Sequence, residues 1–375
     1  MIRLAVLGSA AALHTRRWAE ALADRGFEVR VFSLERPPAL AGPGRAAFVA
    51  LPAAPLPGAL RYPLAARALA TALTEFEPAL VDAHFVPNYG LLGALCGRRP
   101  LTVNCWGSDL LAARGPLRRW RARWVLARAD RVYVDAENLA GAARALGVAD
   151  GRIAVVPWGV DLGRWGFAAD AAARHATRAA WPAAWLAGGR APDPVVVSTR
   201  VLHPIYDVET LVRAWPHVAR SLPRARCLVA GDGPRRHALE ALARSTGAGA
   251  SLRFLGRLAP EELPALLTGA DAYVSTSLSD STSISLLEAM AAGAYPAVTE
   301  ISGNREWVGE ETAGLFPVGD AAALARCLTA ALRDPQGRAE ARARNRRVIE
   351  ERGDFRRAMD RVAGEFRELI AGAGR

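Results

Sequence analysis

Asp280 and Glu288 bracket the seven residues Ser-Thr-Ser-Ile-Ser-Leu-Leu, and this acid pair is the part of the sequence best placed to do chemistry. Ser281, Thr282 and Ser283 are helix-capping residue types, and the apolar run from Ile284 predicts a helix that ends near Gly293. Backbone N–H groups at such a start (Thr282, Ser283, Ile284), helped by the helix dipole, hold an anion such as a diphosphate. Glu288 lies a turn and a half into the helix, where a carboxylate accepts hydrogen bonds from a diol such as a ribose. Asp280 at the loop mouth reaches another hydroxylated group. Two acids flanking one anion site suggest a nucleotide-sugar. The plainer alternative is a turn aspartate and a solvated helix glutamate.

Other polar residues gather where apolar runs end. Gly8 follows the run Ile2–Leu7 and lets the chain turn tightly, although GxGxxG is absent. His14 opens the next helical pattern, as a cleft residue or a surface cap. His84 ends the run 79–83, and Trp106-Gly107-Ser108-Asp109 ends the run 101–105. His84 reads as a site residue or a structural histidine, and Asp109 as a substrate contact or a helix cap. Arg200 ends the run 195–199, as an anion contact or an ion-paired loop residue.

The elements that must position these groups alternate strand and helix. Strands are expected over 2–7, 28–33, 47–51, 79–83, 101–105, 131–135 and 153–156, then over 195–199, 225–230, 251–255, 272–274, 294–299 and 313–318. Helices are expected between them, including one opening at Pro234 and a nearly continuous helical tail from Asp320 broken near Pro335 and Gly353. The Pro-rich stretch 37–63 reads mostly as loop, suited to binding an acceptor. Residues 166–193 show no clear period and read as a linker between two α/β domains.

The acid-x7-acid stretch, followed by Ala-Met-Ala-Ala-Gly, resembles the motif of retaining glycosyltransferases of the GT4 family, whose fold is GT-B. Asp280 stands for the usual first Glu, and Ser281, Thr282 and Ser283 for Gly-Phe-Gly. The resemblance implies a diphosphate contact at Arg200, with Tyr206 near the position of a family lysine. It implies donor contacts at Gly231 and Gly233 of Gly-x-Gly-Pro, and base-edge recognition at Leu255 and Gly256. Trp106 stands for the histidine of His-Gly-x-Asp, and an indole cannot exchange a proton at neutral pH. His14, His84, Trp106 and Asp109 are then acceptor or sugar contacts, with Asp280, Arg200 and Glu288 catalytic and no protein base at Trp106. The implied architecture is two Rossmann-like domains facing across a cleft: 1–165 for the acceptor, a linker 166–193, 194–353 for the nucleotide-sugar, and 354–375 as a helix returning to the first domain. The implied reaction is metal-independent, retaining transfer from a nucleotide-diphosphate sugar, UDP first and GDP next, to an acceptor hydroxyl, with no cofactor.

Composition bounds the rest. The chain has 375 residues and a formal charge of +11, and it contains no lysine, so all 48 basic side chains are arginine. That excludes a P-loop lysine and a Schiff-base lysine, and leaves cationic phosphate binding to arginine. The bias toward Ala, Arg and Gly points to base composition rather than a nucleic-acid partner. Cys96, Cys105, Cys227 and Cys327 are scattered without metal-ligand spacing, and no Asp-x-Asp motif occurs, so no metal is expected. No apolar run is long enough to span a membrane, and a cytoplasmic chain is the expectation. Arg118, Arg119, Trp120, Arg121, Arg123 and Trp124 share one helical stretch. They suit peripheral contact with the inner face of a membrane and a lipid-linked acceptor, or simply a solvated basic face. The rival readings are a non-catalytic sugar- or partner-binding protein and a nucleotide-sugar epimerase.

Overall fold

The computed structural model describes residues 1–36, 44–51, 58–111, 115–186 and 194–374. They form two compact units, one of residues 1–157 and 356–375 and one of residues 158–355. The first is built on seven parallel strands: β1 (Ile2–Leu7), β2 (Phe27–Ser33), β3 (Ala47–Ala50), β4 (Leu80–His84), β5 (Leu101–Asn104), β6 (Arg131–Val134) and β7 (Ile153–Val155). Their order is β3-β2-β1-β4-β5-β6-β7. Strands buried on both faces read as near-continuous apolar runs, as β1 does from Leu4 to Leu7 after the partly exposed Arg3. The order reverses between β1 and β4, the place where ligands collect in open α/β sheets, and both strands end there at Gly8 and His84.

The two faces of this sheet differ. Ala5, Leu7, Val81, Ala83, Leu101 and Val103 pack into the apolar core. The other face carries Asp82, His84, Thr102 and Asn104, all buried. The helix Leu13–Ala23 lies over the polar face through Trp18. The helix Phe355–Ala373 reaches this unit as well: the Tyr133 hydroxyl donates to Glu365 at 2.9 Å, and Phe366 meets the Tyr133 ring edge-on.

The second unit has six parallel strands: β8 (Val195–Ser198), β9 (Arg226–Ala230), β10 (Leu252–Gly256), β11 (Ala272–Ser275), β12 (Tyr295–Thr299) and β13 (Gly314–Phe316). Their order is β10-β9-β8-β11-β12-β13, with the reversal between β8 and β11. Alternate side chains feed two cores. Val195, Val197 and Tyr273 go to one face, and Val196, Ala272 and Val274 to the other. Fully burying each of the valines stabilises the unit by roughly 1.5–3 kcal/mol.

The structure redraws several expected boundaries. The expected linker is part of the second unit wherever it is described, since Ala168, Arg174, Arg178, Trp181 and Trp185 are all buried there; 187–193 lie outside the described residues. Its helix Ala171–Ala179 gave no clear sequence signal because two arginines, rather than aliphatic residues, form its inward face. The crossing from the first unit falls at Pro157 instead of residue 165, because Val160 pairs with Asp354 within the second unit. In the Pro-rich stretch expected as loop, the helix Gly58–Phe76 already begins and carries Pro63; 37–43 and 52–57 lie outside the described residues. The helix expected from Pro234 starts at Arg236.

Candidate functional site

In the second unit the chain leaves β8 into Arg200, and β11 into the loop that holds Asp280. Arg200 is 7% exposed and fully engaged on one edge: NH1 donates to Ser283 Oγ at 2.7 Å and Ser285 Oγ at 2.8 Å, and NH2 to Asp280 Oδ2 at 2.7 Å. Its Nε has no hydrogen-bond partner among the described residues. The Tyr206 ring lies 4.0 Å from the guanidinium carbon, so the residue near the expected lysine position backs the arginine with a π face instead of adding a charge. Asp280 Oδ1 accepts from the Ser281 amide at 3.1 Å, and Tyr273 donates to Ser285 at 2.7 Å, which fixes that hydroxyl for Arg200.

The helix Ile284–Ala292 starts at this cluster with Ser283 as its N-cap, and Gly293 closes it in the left-handed conformation. Ser281, Thr282 and Ser283 are buried, so the turn is packed rather than a loose loop. Glu288, half-buried, follows Ser285 by three positions and shares its side of the helix. Gly231 and Gly233 act first on Arg200: a Cβ on Gly231 would stand 2.2 Å from the Arg200 carbonyl oxygen, and one on Gly233 2.6 Å from that of Leu202. Their glycines let the β9 turn press against the chain that carries the arginine. Gly256 ends β10 at φ +78°, bridges to Gly231, and follows a break in register that leaves Leu255 unpaired with β9.

In the first unit Trp106 is half-buried, with His14 and His84 edge-on at 5.8 and 5.6 Å between ring centres and Phe85 at 6.4 Å. Phe85 itself adopts φ +71°, a strained setting for an aromatic residue, directly after β4. Asp109 serves the fold: its two oxygens accept from the amides of Trp106 at 2.9 Å and Val86 at 3.1 Å, and it is 5% exposed. Its carboxyl is pushed up to about 6 by burial, against the pull of the amides of Val86 and Trp106. Both oxygens of the carboxylate are thus engaged by backbone amides. His84, 1% exposed, holds Asp82 Oδ2 through Nε2 at 3.1 Å and is likewise a buried residue rather than an open contact. Gly8 is needed because a Cβ there would lie 2.7 Å from Thr15 Cγ2. His14 is partly buried. Its pKa is lowered to about 4 by burial and by the charges of Arg17 and His84, so it is neutral at pH 7.

Three contributors escaped the sequence reading. Asp82, fully buried, gathers Trp18 Nε1 at 2.8 Å, Thr102 Oγ1 at 2.6 Å and Asn104 Nδ2 at 2.7 Å besides His84; its one signal is an acid two residues before a histidine in an apolar strand. Ser285 is the second serine on Arg200. Gly303 supports the Asp280 turn from below, since a Cβ would stand 1.9 Å from the Ser281 carbonyl oxygen. Asn304, next to Gly303, is fully buried and donates to the Thr299 carbonyl at 2.8 Å.

Two family models account for most of the chain. "Glycosyl transferases group 1" matches residues 188–348, which include Arg200, Asp280 and Glu288, and "Glycosyltransferase Family 4" matches residues 11–164. The chain belongs to the GT4-type, group 1 glycosyltransferases. Its likeness to solved GT-B glycosyltransferases fits that family: the Anabaena Alr3699/HepE structure with UDP-glucose superposes with a TM-score of 0.83 over 98% of this chain and 100% of that one, at 19% identity. Among curated relatives, the putative glycosyltransferase EpsD of Bacillus subtilis (strain 168) is 30% identical over 140 residues, which is 37% of this chain and 36% of that protein. The 2-deoxystreptamine glucosyltransferase of Streptomyces kanamyceticus is 31% identical over 223 residues, 57% of this chain and 54% of that protein. The chain thus spans about a third to a half of the length of these two relatives.

Proposed function

We propose that this chain transfers a sugar, with retention, from a nucleotide-diphosphate sugar to an acceptor hydroxyl, without a metal ion or cofactor. The observation that carries the reading is the Arg200 guanidinium, buried and oriented by Asp280, Ser283 and Ser285 at the start of a helix, where the strand order of the second sheet reverses. That arrangement suits a diphosphate whose negative charge grows as it leaves.

The remaining roles follow from position. Glu288, on the Ser285 side of the helix, takes the ribose diol, and Asp280 takes a sugar hydroxyl. Leu255 and Gly256 end β10, two strand spacings or about 10 Å from β8, a suitable reach for the base. UDP is the first choice of donor and GDP the second; the UDP-glucose bound in the HepE structure supports the first. In the transfer step the bond from the anomeric carbon to the acceptor oxygen forms as its bond to the phosphate oxygen breaks. The acceptor proton passes to a diphosphate oxygen on the same face, which gives retention. A His14 with a pKa of about 4 is a weak base at neutral pH, in keeping with a transfer that draws no proton onto the protein beside Trp106.

The acceptor is read as lipid-linked. On the helix Pro116–Leu126, Ala122, Val125 and Leu126 face inward, while Leu117 is 75% and Trp120 60% exposed among Arg118, Arg119 and Arg123, with no acid from Gly115 to Ala129. Such a face suits an anionic lipid surface. A non-catalytic sugar-binding protein is the second reading, and one observation favours it: Asp280 is already engaged by Arg200 and by its own turn.

The deciding experiment is thermal stabilisation of the wild type and Glu288→Ala by UDP, GDP, ADP and dTDP sugars, followed by turnover of whichever donor binds. A ligand at about 100 times its dissociation constant adds roughly 2.7 kcal/mol. One nucleotide series stabilising the wild type but not the variant is expected. No stabilisation by any series sinks the donor reading, and binding without turnover on any acceptor favours the non-catalytic one.

A further inference from the structure

The second unit buries a group of arginines far from Arg200. Arg174 and Arg178 come from the helix Ala171–Ala179, Arg338 and Arg342 from the helix Pro335–Arg352, and all four are 6% exposed or less. They surround Asp271, which precedes β11 and accepts from Arg174 Nε at 3.1 Å, from the Val195 amide at 2.9 Å and from Arg178 NH2. Burial alone would raise the Asp271 carboxyl, but Arg178, the Val195 amide and Arg174 together hold it below the usual carboxylate range. Other donors go to the backbone: Arg178 Nε to Gly269 at 2.6 Å, Arg342 Nε to Arg338 at 3.1 Å, and Arg338 NH1 to Ala331.

NH1 of Arg174 and NH1 of Arg342 are then buried with no hydrogen-bond partner among the described residues. The two guanidiniums feel each other: burial, then the charges of Arg174 and Arg338, lowers the Arg342 pKa to about 10, which still leaves it cationic at neutral pH. Buried cationic donors without acceptors are strongly unfavourable, and an oxyanion between them relieves both the missing hydrogen bonds and the like-charge repulsion.

We propose that this arginine cluster is a second anion site, in which NH1 of Arg174 and NH1 of Arg342 hold a phosphate-type oxyanion. It lies at the amino-terminal ends of β8, β11 and β12, where the Asp271 and Tyr295 amides enter the ladder, whereas Arg200 and Asp280 follow the carboxyl-terminal ends. A four-residue strand, about 13 Å, separates the two. A phosphate here braces the helices Ala171–Ala179 and Pro335–Arg352 against the sheet without entering the donor site.

The test uses the full chain carrying Arg200→Gln, so that the donor site does not answer for phosphate. Calorimetric titration with inorganic phosphate, at ionic strength matched with chloride, is expected to show one site. Melting is expected to rise by about 2–4 °C at saturation. Adding Arg342→Gln is expected to cut phosphate affinity at least tenfold, and Arg342→Lys by less. No phosphate binding in Arg200→Gln overturns the proposal, as does equal binding with Arg342→Gln added. If the double variant does not fold, Arg174→Gln in the same background replaces it under the same criteria.

Discussion

Arg200 and Asp280 meet at 2.7 Å across the pair of strands at which the second sheet reverses its order, with their side chains 8% and 19% exposed. A carboxylate in that place orients the guanidinium and also offsets its charge. Asp280→Asn keeps the shape and removes the offset. It is expected to leave UDP binding unchanged or up to about tenfold tighter, while transfer falls about 100-fold through loss of the sugar contact. Titration with UDP beside turnover of the UDP-sugar checks this. Equal loss of both would mean that Asp280 serves only to hold Arg200.

Gly231→Ala and Gly303→Ala attack the same cluster from opposite sides without touching an ionisable group. Each new methyl meets a carbonyl oxygen at 2.2 and 1.9 Å, on Arg200 and Ser281 respectively, and backbone cannot swing aside as a side chain can. Each is expected to destabilise by about 1–3 kcal/mol and to weaken donor binding at least tenfold. Gly249→Ala, whose Cβ would have its nearest neighbour at 3.5 Å, is the control for both. Urea unfolding and donor titration give the two readouts.

Two groups in the first unit oppose each other in pH dependence. The Asp109 pKa is raised to about 6, so its contribution is full below the unfolded value near 4 and is lost as pH rises through 6. His14 is lowered to about 4, so its contribution is full above the unfolded value near 6.5 and is lost as pH falls toward 4. The windows overlap and the signs are opposite, so the two offset each other between pH 4 and 6.5. His14→Gln leaves Asp109 alone, and its stability relative to wild type is expected to grow as pH falls from 6.5 to 4.5. Urea midpoints at pH 4.5, 5.5 and 7 check the trend; a constant gap would refute it.

Leu117→Ser with Trp120→Ser removes the exposed apolar pair but keeps every arginine of the helix. Wild-type chain is expected to float with vesicles containing anionic lipid and to release as salt rises, and the double variant to bind at least tenfold more weakly. Unchanged flotation of the variant would leave charge alone as the cause. No flotation of the wild type would remove the lipid-linked acceptor reading.

The sequence was readable where one residue type and its neighbours determine the outcome. Apolar runs ending in Gly8, His84, Trp106 and Arg200 placed those residues at strand ends. The helices 321–333, 335–352 and 355–373 part at Asp334, just before Pro335, and at Gly353-Asp354, beside the expected breaks. Asp280 and Glu288 were visible because their relation is local. Asp82 was not, since its donors Trp18, Thr102 and Asn104 come from a helix and a neighbouring strand. Gly303 looked like any loop glycine, because the carbonyl that excludes a side chain there is more than twenty positions away. The stretch 166–186 was misread as a linker for a related reason: Arg174 and Arg178 count as surface residues until the distant carboxylate of Asp271 is known to meet them.

The chain passes from the first unit to the second at Pro157 and comes back at Arg356, and the two crossings are zipped side by side, Val160 N–H to the Gly353 carbonyl at 2.7 Å and Phe355 N–H to that of Val160 at 3.1 Å. On the ribosome this imposes an order of events. The second unit is one uninterrupted segment and can close on itself as soon as it emerges. The first unit, although most of it is made earlier, waits for Glu365 and Phe366 before Tyr133 has its partners. The half synthesised first is therefore the half finished last, and nascent chains released before residue 356 hold a complete second unit and a first unit that still lacks Glu365 and Phe366.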